Sequence, residues 1–171
     1  KVIASEWGDT EIEKLALLLP DLKVHKLILN SNKIRDEGAK VIAAALPSSK
    51  VTELELGDNE IGDEGTKVLA AALLAALPSL KVTKINLDNN QIGDEGAKAI
   101  AAALPSSRVT GISLNSNRIG NEGAKAIAAA LPRSKVTKID LHKNNKIGEE
   151  GVKALRSGFV NSDGTRIDII V

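Results

Sequence analysis

Short alternations of apolar and polar residues recur along the chain at nearly fixed intervals. Leu27 and Leu29, Leu54 and Leu56, Ile85 and Leu87, Ile112 and Leu114, and Ile139 and Leu141 are each separated by one residue. That is the period of a strand with one buried face. Each pair leads into an Asn-containing turn and then a segment in which Ile42, Leu69, Ile100, Ile127 or Leu155 stands among alanines or other good helix formers. This spacing predicts a helix with its apolar stripe turned inward. Pro47, Pro78, Pro105 and Pro132 then stop the helix and send the chain back to the next strand.

The strand–turn–helix unit is a true internal repeat. VHKLILNSNKIRDEGAKVIAAALPSSK (24–50) is followed by copies that begin at residues 51, 82, 109 and 136, and a last strand, TRIDIIV, closes the sequence. Repeats of this length cannot bury an apolar face alone, so they stack, with parallel strands ~4.8 Å apart. Asn32, Asn59, Asn90, Asn117 and then Asn144 or Asn145 fall where the chain turns inward, suited to a ladder of amides that satisfies buried backbone. Acidic pairs such as Asp36-Glu37, Asp63-Glu64 and Asp94-Glu95 open the helices, where carboxylates suit the positive end of the helix dipole. Gly38, Gly65, Gly96, Gly123 and Gly151 recur in the first turn, as expected where a helix lies close against the strand layer. The second copy has four extra residues in AALLAALPSL, about one helical turn, and the fifth has one extra in HKNNK.

The pattern Val-x-x-Leu-x-Leu-x-x-Asn-x-Ile…Gly resembles the leucine-rich repeat, in particular the ribonuclease-inhibitor-like subtype with a full helix in every turn. The resemblance covers residues 24–171, and Trp7-Gly8-Asp9-Thr10 extends it as a degenerate half-turn. It implies an α/β fold: a right-handed, curved solenoid with a parallel sheet on the concave side and helices on the convex side. Residues 1–23 form an N-terminal capping half-repeat with Trp7 in place of a core Ile and no strand of its own. Residues 24–163 form five repeats and residues 164–171 a terminal strand, all in one domain. In this family the strand positions between the buried residues face the concave surface. One such column runs Lys26, Glu53, Lys84, Gly111, Lys138, Arg166; the next runs Ile28, Glu55, Asn86, Ser113, Asp140, Asp168; beyond them lie Asn30, Gly57, Asp88, Asn115 and His142. These positions vary from copy to copy while the frame stays fixed, so they form the expected partner-binding surface. The resemblance implies a non-enzymatic protein-interaction module with no cofactor. Its alternatives are a GTPase activator of the Ran-activator type, or a spacer or targeting segment of a larger bacterial effector or immune receptor.

Composition narrows the picture without changing it. The 171 residues include one Trp, one Phe and no Tyr, Met or Cys, so the core is aliphatic. A net charge of +1, with acidic and basic residues interleaved, argues against nucleic acid as a partner. No stretch approaches the ~18 apolar residues that cross a bilayer. Zero cysteines and the lack of an Asn-x-Ser/Thr sequon point to an intracellular place, cytoplasmic or inside a host cell for an effector.

The candidate chemistry is thin. His25 and His142 lie four repeats apart and cannot share a metal or a proton. The Asx-rich turns lack the calcium-loop order, and the acidic pairs recur in every turn, which favours helix capping over paired catalytic carboxylates. A column of Thr52, Thr83, Thr110, Thr137 and Thr165 resembles a hydroxyl array for an ordered surface such as ice, but β-branched residues favour strands anyway. The terminal strand presents Ile170 and Val171 on an open edge, a route to self-association.

Overall fold

The computed structural model describes residues 2–3, 6–74, 81–144, 146–157 and 160–171. Strands and helices alternate as β1 (Val2–Ile3), α1 (Asp9–Leu18), β2 (Lys26–Ile28), α2 (Asp36–Ala45), β3 (Glu53–Glu55), α3 (Asp63–Leu74), β4 (Lys84–Asn86), α4 (Asp94–Ala103), β5 (Gly111–Ser113), α5 (Asn121–Ala130), β6 (Lys138–Asp140), α6 (Glu149–Ser157) and β7 (Asp168–Ile170). The strands form one open sheet in sequence order, and every neighbouring pair is parallel. This is the expected solenoid. Leu27, Leu54, Ile85, Ile112 and Ile139 stand opposite one another along the sheet and are buried, as are Ile42, Leu69, Ile100, Ile127 and Leu155 from the helices. Strand and helix layers thus close one continuous aliphatic core. At roughly 25 cal/mol per Å² of apolar surface removed from water, such burial is the main force holding each turn to the next.

Three expectations need correction. The capping half-turn does have a strand: β1 pairs Val2 with Leu27 and Ile3 with Ile28, so the sheet starts one turn earlier. Trp7 is half-buried against the core, and its backbone N–H donates to Asn32 Oδ1 at 2.7 Å. At the other end β7 is shifted by two residues, with Asp168 opposite Lys138 and Ile169 opposite Ile139. A two-residue slip keeps every side chain on its own face, so alternation in TRIDIIV could not distinguish the two registers. Buried Ile167 then takes the place assigned to Thr165, while Arg166 leaves the column and bridges back to Val160.

The third correction concerns the helix starts. The acidic residue does not cap its own helix; it reaches forward to the next one. Asp9 Oδ1 accepts from the backbone N–H groups of Arg35 (2.9 Å) and Gly38 (3.0 Å). Asp36 accepts from Gly62, Asp63 from Gly93 and Gly96, Asp94 from Gly120 and Gly123, and Asn121 from Gly148 and Gly151. From α2 onward each helix start therefore has one or two backbone N–H groups satisfied by the turn behind it. The repeated glycine makes room for that oxygen, and its close neighbours belong to the preceding helix start and its own loop, not to the strand layer. A Cβ on Gly96 would stand 2.7 Å from Asp63 Oδ1 and 2.8 Å from Ile92 Cγ2; on Gly123 it would stand 2.7 Å from Asp94 Oδ1. In α1 the glycine's place is held by Glu11, whose carboxylate accepts from Gly8 N–H at 3.0 Å, so this helix caps itself. That bond holds the Glu11 carboxyl below its ordinary pKa.

The prolines act one step later than a simple stop. Pro47, Pro105 and Pro132 sit in 3₁₀ turns (Leu46–Ser48, Leu104–Ser106, Leu131–Arg133) that tighten each helix end. The four-residue insertion lies mostly in residues 75–80, outside the described residues, as does Pro78; α3 is described through Leu74.

Candidate functional site

Two classes of polar side chain line the sheet, and the geometry separates them. The first is structural. Asn32, Asn59, Asn90, Asn117 and Asn144 are each at most 8% exposed. Asn90 shows the pattern: Nδ2 donates to the carbonyls of Leu56, Leu87 and Asp88, and Oδ1 accepts from Ile61 N–H of the previous turn. Asn144 makes the same bonds to Leu114 and Leu141 and accepts from Ile119, so it is the fifth rung. The residue before each rung (Ser31, Asp58, Asn89, Ser116, Lys143) has positive φ, a strain of order 1 kcal/mol repeated because the turn into the core requires it. The threonines belong to this class as well. Thr52, Thr83, Thr110 and Thr137 donate their hydroxyls to the carbonyls of His25, Thr52, Thr83 and Thr110 at 3.0–3.3 Å. A hydroxyl committed to backbone is no array for ice, which leaves strand preference as the account. Buried Ser49, Ser107 and Ser134 were not signalled by spacing: each bonds back to the carbonyl three residues earlier and accepts from the N–H two residues on.

The second class faces away from the core. Lys26, Glu53, Lys84, Gly111 and Lys138 stand in register along one row of the sheet, and Ile28, Glu55, Asn86, Ser113 and Asp140 along the next. All these residues are half-buried or exposed, and His142 is exposed beyond them. At the N-terminal end the row is electrostatically closed. Lys26 Nζ lies 3.2 Å from Glu53 and 2.9 Å from Glu55, and Lys84 Nζ lies 3.1 Å from Glu53. The bonds from Lys84 and Lys26 lower the Glu53 pKa, and those from Glu55 and Glu53 raise that of Lys26. Beyond Lys84 the row opens into a shallow depression of about 300 Å³ around Gly111, walled by Lys84, Asn86, Ser113, Lys138 and Asp140. Burial raises the pKa of nearby Asp88, against the opposing bonds from Ser113 and from Asn115 N–H. Among the described residues no three His, Cys, Asp or Glu side chains gather as a metal site, and no helix is long and apolar enough to cross a membrane.

The profile described as "Leucine Rich repeat" matches five segments, residues 22–43, 48–70, 79–101, 109–128 and 134–155, more than half of the chain. The chain belongs to the leucine-rich-repeat family. Each matched segment carries one strand, one Asn rung and most of one helix, as the solenoid requires. Among solved structures the chain is similar to "Leiomodin-1 Actin-Binding Site 2 (ABS2)", with a TM-score of 0.66 and 21% identity over 88% of this chain and 86% of that one. At that identity the likeness shows the leucine-rich-repeat fold. No curated protein matches.

Proposed function

We propose that this leucine-rich-repeat domain is a non-catalytic binding module that holds another protein against the concave face of its sheet. One contrast carries the reading. The frame residues recur from turn to turn with the same bonds, whereas Lys26, Ile28, Glu53, Glu55, Lys84, Asn86, Ser113, Lys138, Asp140 and His142 differ from turn to turn on a rigid support. Rigid, pre-arranged polar arrays bind without the entropic cost of ordering a loop. The helix in every turn, nine to twelve residues long, supports the ribonuclease-inhibitor-like subtype within the family. The absence of Cys from the sequence supports an intracellular setting.

The similar structure is an actin-binding site, so actin is the first protein to test, by filament co-sedimentation. The general test is a pull-down with the intact chain and with a variant altered at Glu53, Glu55, Lys84 and Asn86. Loss of the captured protein supports the concave face, and equal capture refutes it. A GTPase activator would instead accelerate GTP hydrolysis by a small GTPase, which binding alone does not. A second contact is favoured by the β7 edge, where Ile170 is 36% and Val171 43% exposed. We propose that this edge pairs with another copy, which sedimentation velocity over a concentration series tests: a mass fixed at that of one chain refutes it.

A further inference from the structure

Gly111 is unlike the repeated glycines. A Cβ built on it meets only Lys84 Cγ at 3.7 Å, an ordinary contact, and its φ is not in the positive range. Neither packing nor backbone conformation calls for glycine there, yet its missing side chain is what opens the depression between Lys84 and Lys138. These two lysines stand on strands either side of β5, so their backbones are roughly 10 Å apart, wide enough for one inserted side chain. Lys84 commits one N–H to Glu53 and keeps two, and the groups still free to bond there are mostly donors. Lys138 is exposed and makes no ion pair among the described residues, although Asp168 stands opposite in register. Asn86 Oδ1 already accepts from Asp88 N–H at 2.8 Å, which leaves its amide N–H groups free. The acids are partly committed: Glu55 to Lys26, and one Asp140 oxygen to His142 N–H. The floor is the strand backbone at Ile85 and Ile112, whose side chains turn the other way into the core.

We propose that the depression over Gly111 seats an acidic side chain of the protein partner, its carboxylate between Lys84 and Lys138 and its methylenes over the backbone of β5 where Gly111 leaves it bare. This rests on the concave-face reading and adds the chemistry of what is recognised. The test is selection from a phage-displayed library of random dodecapeptides against the intact chain, Gly111→Leu, Lys138→Glu, and a Glu53→Lys/Glu55→Lys double variant. The intact chain enriches peptides with Glu or Asp at one aligned position. Gly111→Leu, which fills the seat without a backbone clash, weakens their binding at least tenfold with an unchanged thermal midpoint. Lys138→Glu, an exposed change that leaves folding intact, shifts the preference to Lys or Arg. A consensus without an acid, or equal capture by Gly111→Leu and Lys138→Glu, overturns the proposal. If in that case the Glu53→Lys/Glu55→Lys variant alone loses binding, the concave face stands and only the seat is wrong. If no variant loses binding, both fall.

Discussion

The two sides of the sheet obey different rules. Behind the open face the frame residues bond to backbone, and the bonds that tie turns together reach into the neighbouring one: Asn90 holds the Leu56 carbonyl, and Asp63 at its helix start holds the Gly93 N–H. Such a bond forms only if the adjacent turn sits at one fixed offset, so the same residue is needed in each copy. On the open side partners are other side chains, as in the Lys26–Glu53–Lys84 chain, or backbone of the same turn, as at Asn86 and Asp140, or are missing among the described residues, as at Lys138. Repetition therefore marks what the solenoid needs, and variation marks what it leaves available.

Substitutions that respect this division should have very different costs. The largest effect is expected for Gly96→Leu or Gly123→Leu, where the new Cβ falls within 2.7 Å of the Asp oxygen from the previous turn. Overpacking and loss of the cap together cost about 3 kcal/mol or more, seen as a large drop in the urea midpoint. Gly111→Leu is expected to cost about 0.5 kcal/mol or less, as a surface change. Equal costs at Gly96 and Gly111 would erase the contrast. Next is Asn90→Ala, which strands three carbonyls and one N–H and is expected to cost about 2–4 kcal/mol in the same measurement.

Asp63→Ala, which removes a forward cap, is expected to cost about 1 kcal/mol, and Asp63→Asn much less, because Asn121 fills this role natively. The smallest effect is electrostatic. Glu53 has a pKa lowered in the folded state, so its contribution is present above the unfolded carboxylate pKa and fades as pH falls through the folded one. Glu53→Gln should remove that part of the acid dependence and little else, as a pH series of thermal midpoints checks. The effect is slight because the pair is solvent-screened.

Much of this was legible in the order of residues. Alternating Leu and Ile placed the strands, the recurring Asn placed the rungs, and the register of five copies placed Lys26 to His142 on one surface. What could not be read was which turn a residue serves. Asp36 is equally close in sequence pattern to its own helix and to the next, since every copy carries the same residues; only the three-dimensional offset sends it forward to Gly62. The ends were obscure for a related reason. β1 contributes two residues with too little pattern to mark a strand, and β7 alternates in a way that two registers satisfy equally. The depression at Gly111 was hidden because glycine in one column looks like one more variation until the space around it is known.

The forward caps give the stack a direction, like that of tiles with a tongue on one side and a groove on the other. A duplicate of residues 82–108 spliced after position 108 would find a groove ahead and a tongue behind, and should lengthen the sheet by one strand without disturbing its neighbours. The same duplicate joined in front of α1 would meet Glu11 already lying in the groove. Growth by copying is thus open along the interior and obstructed at the first helix by a single side chain.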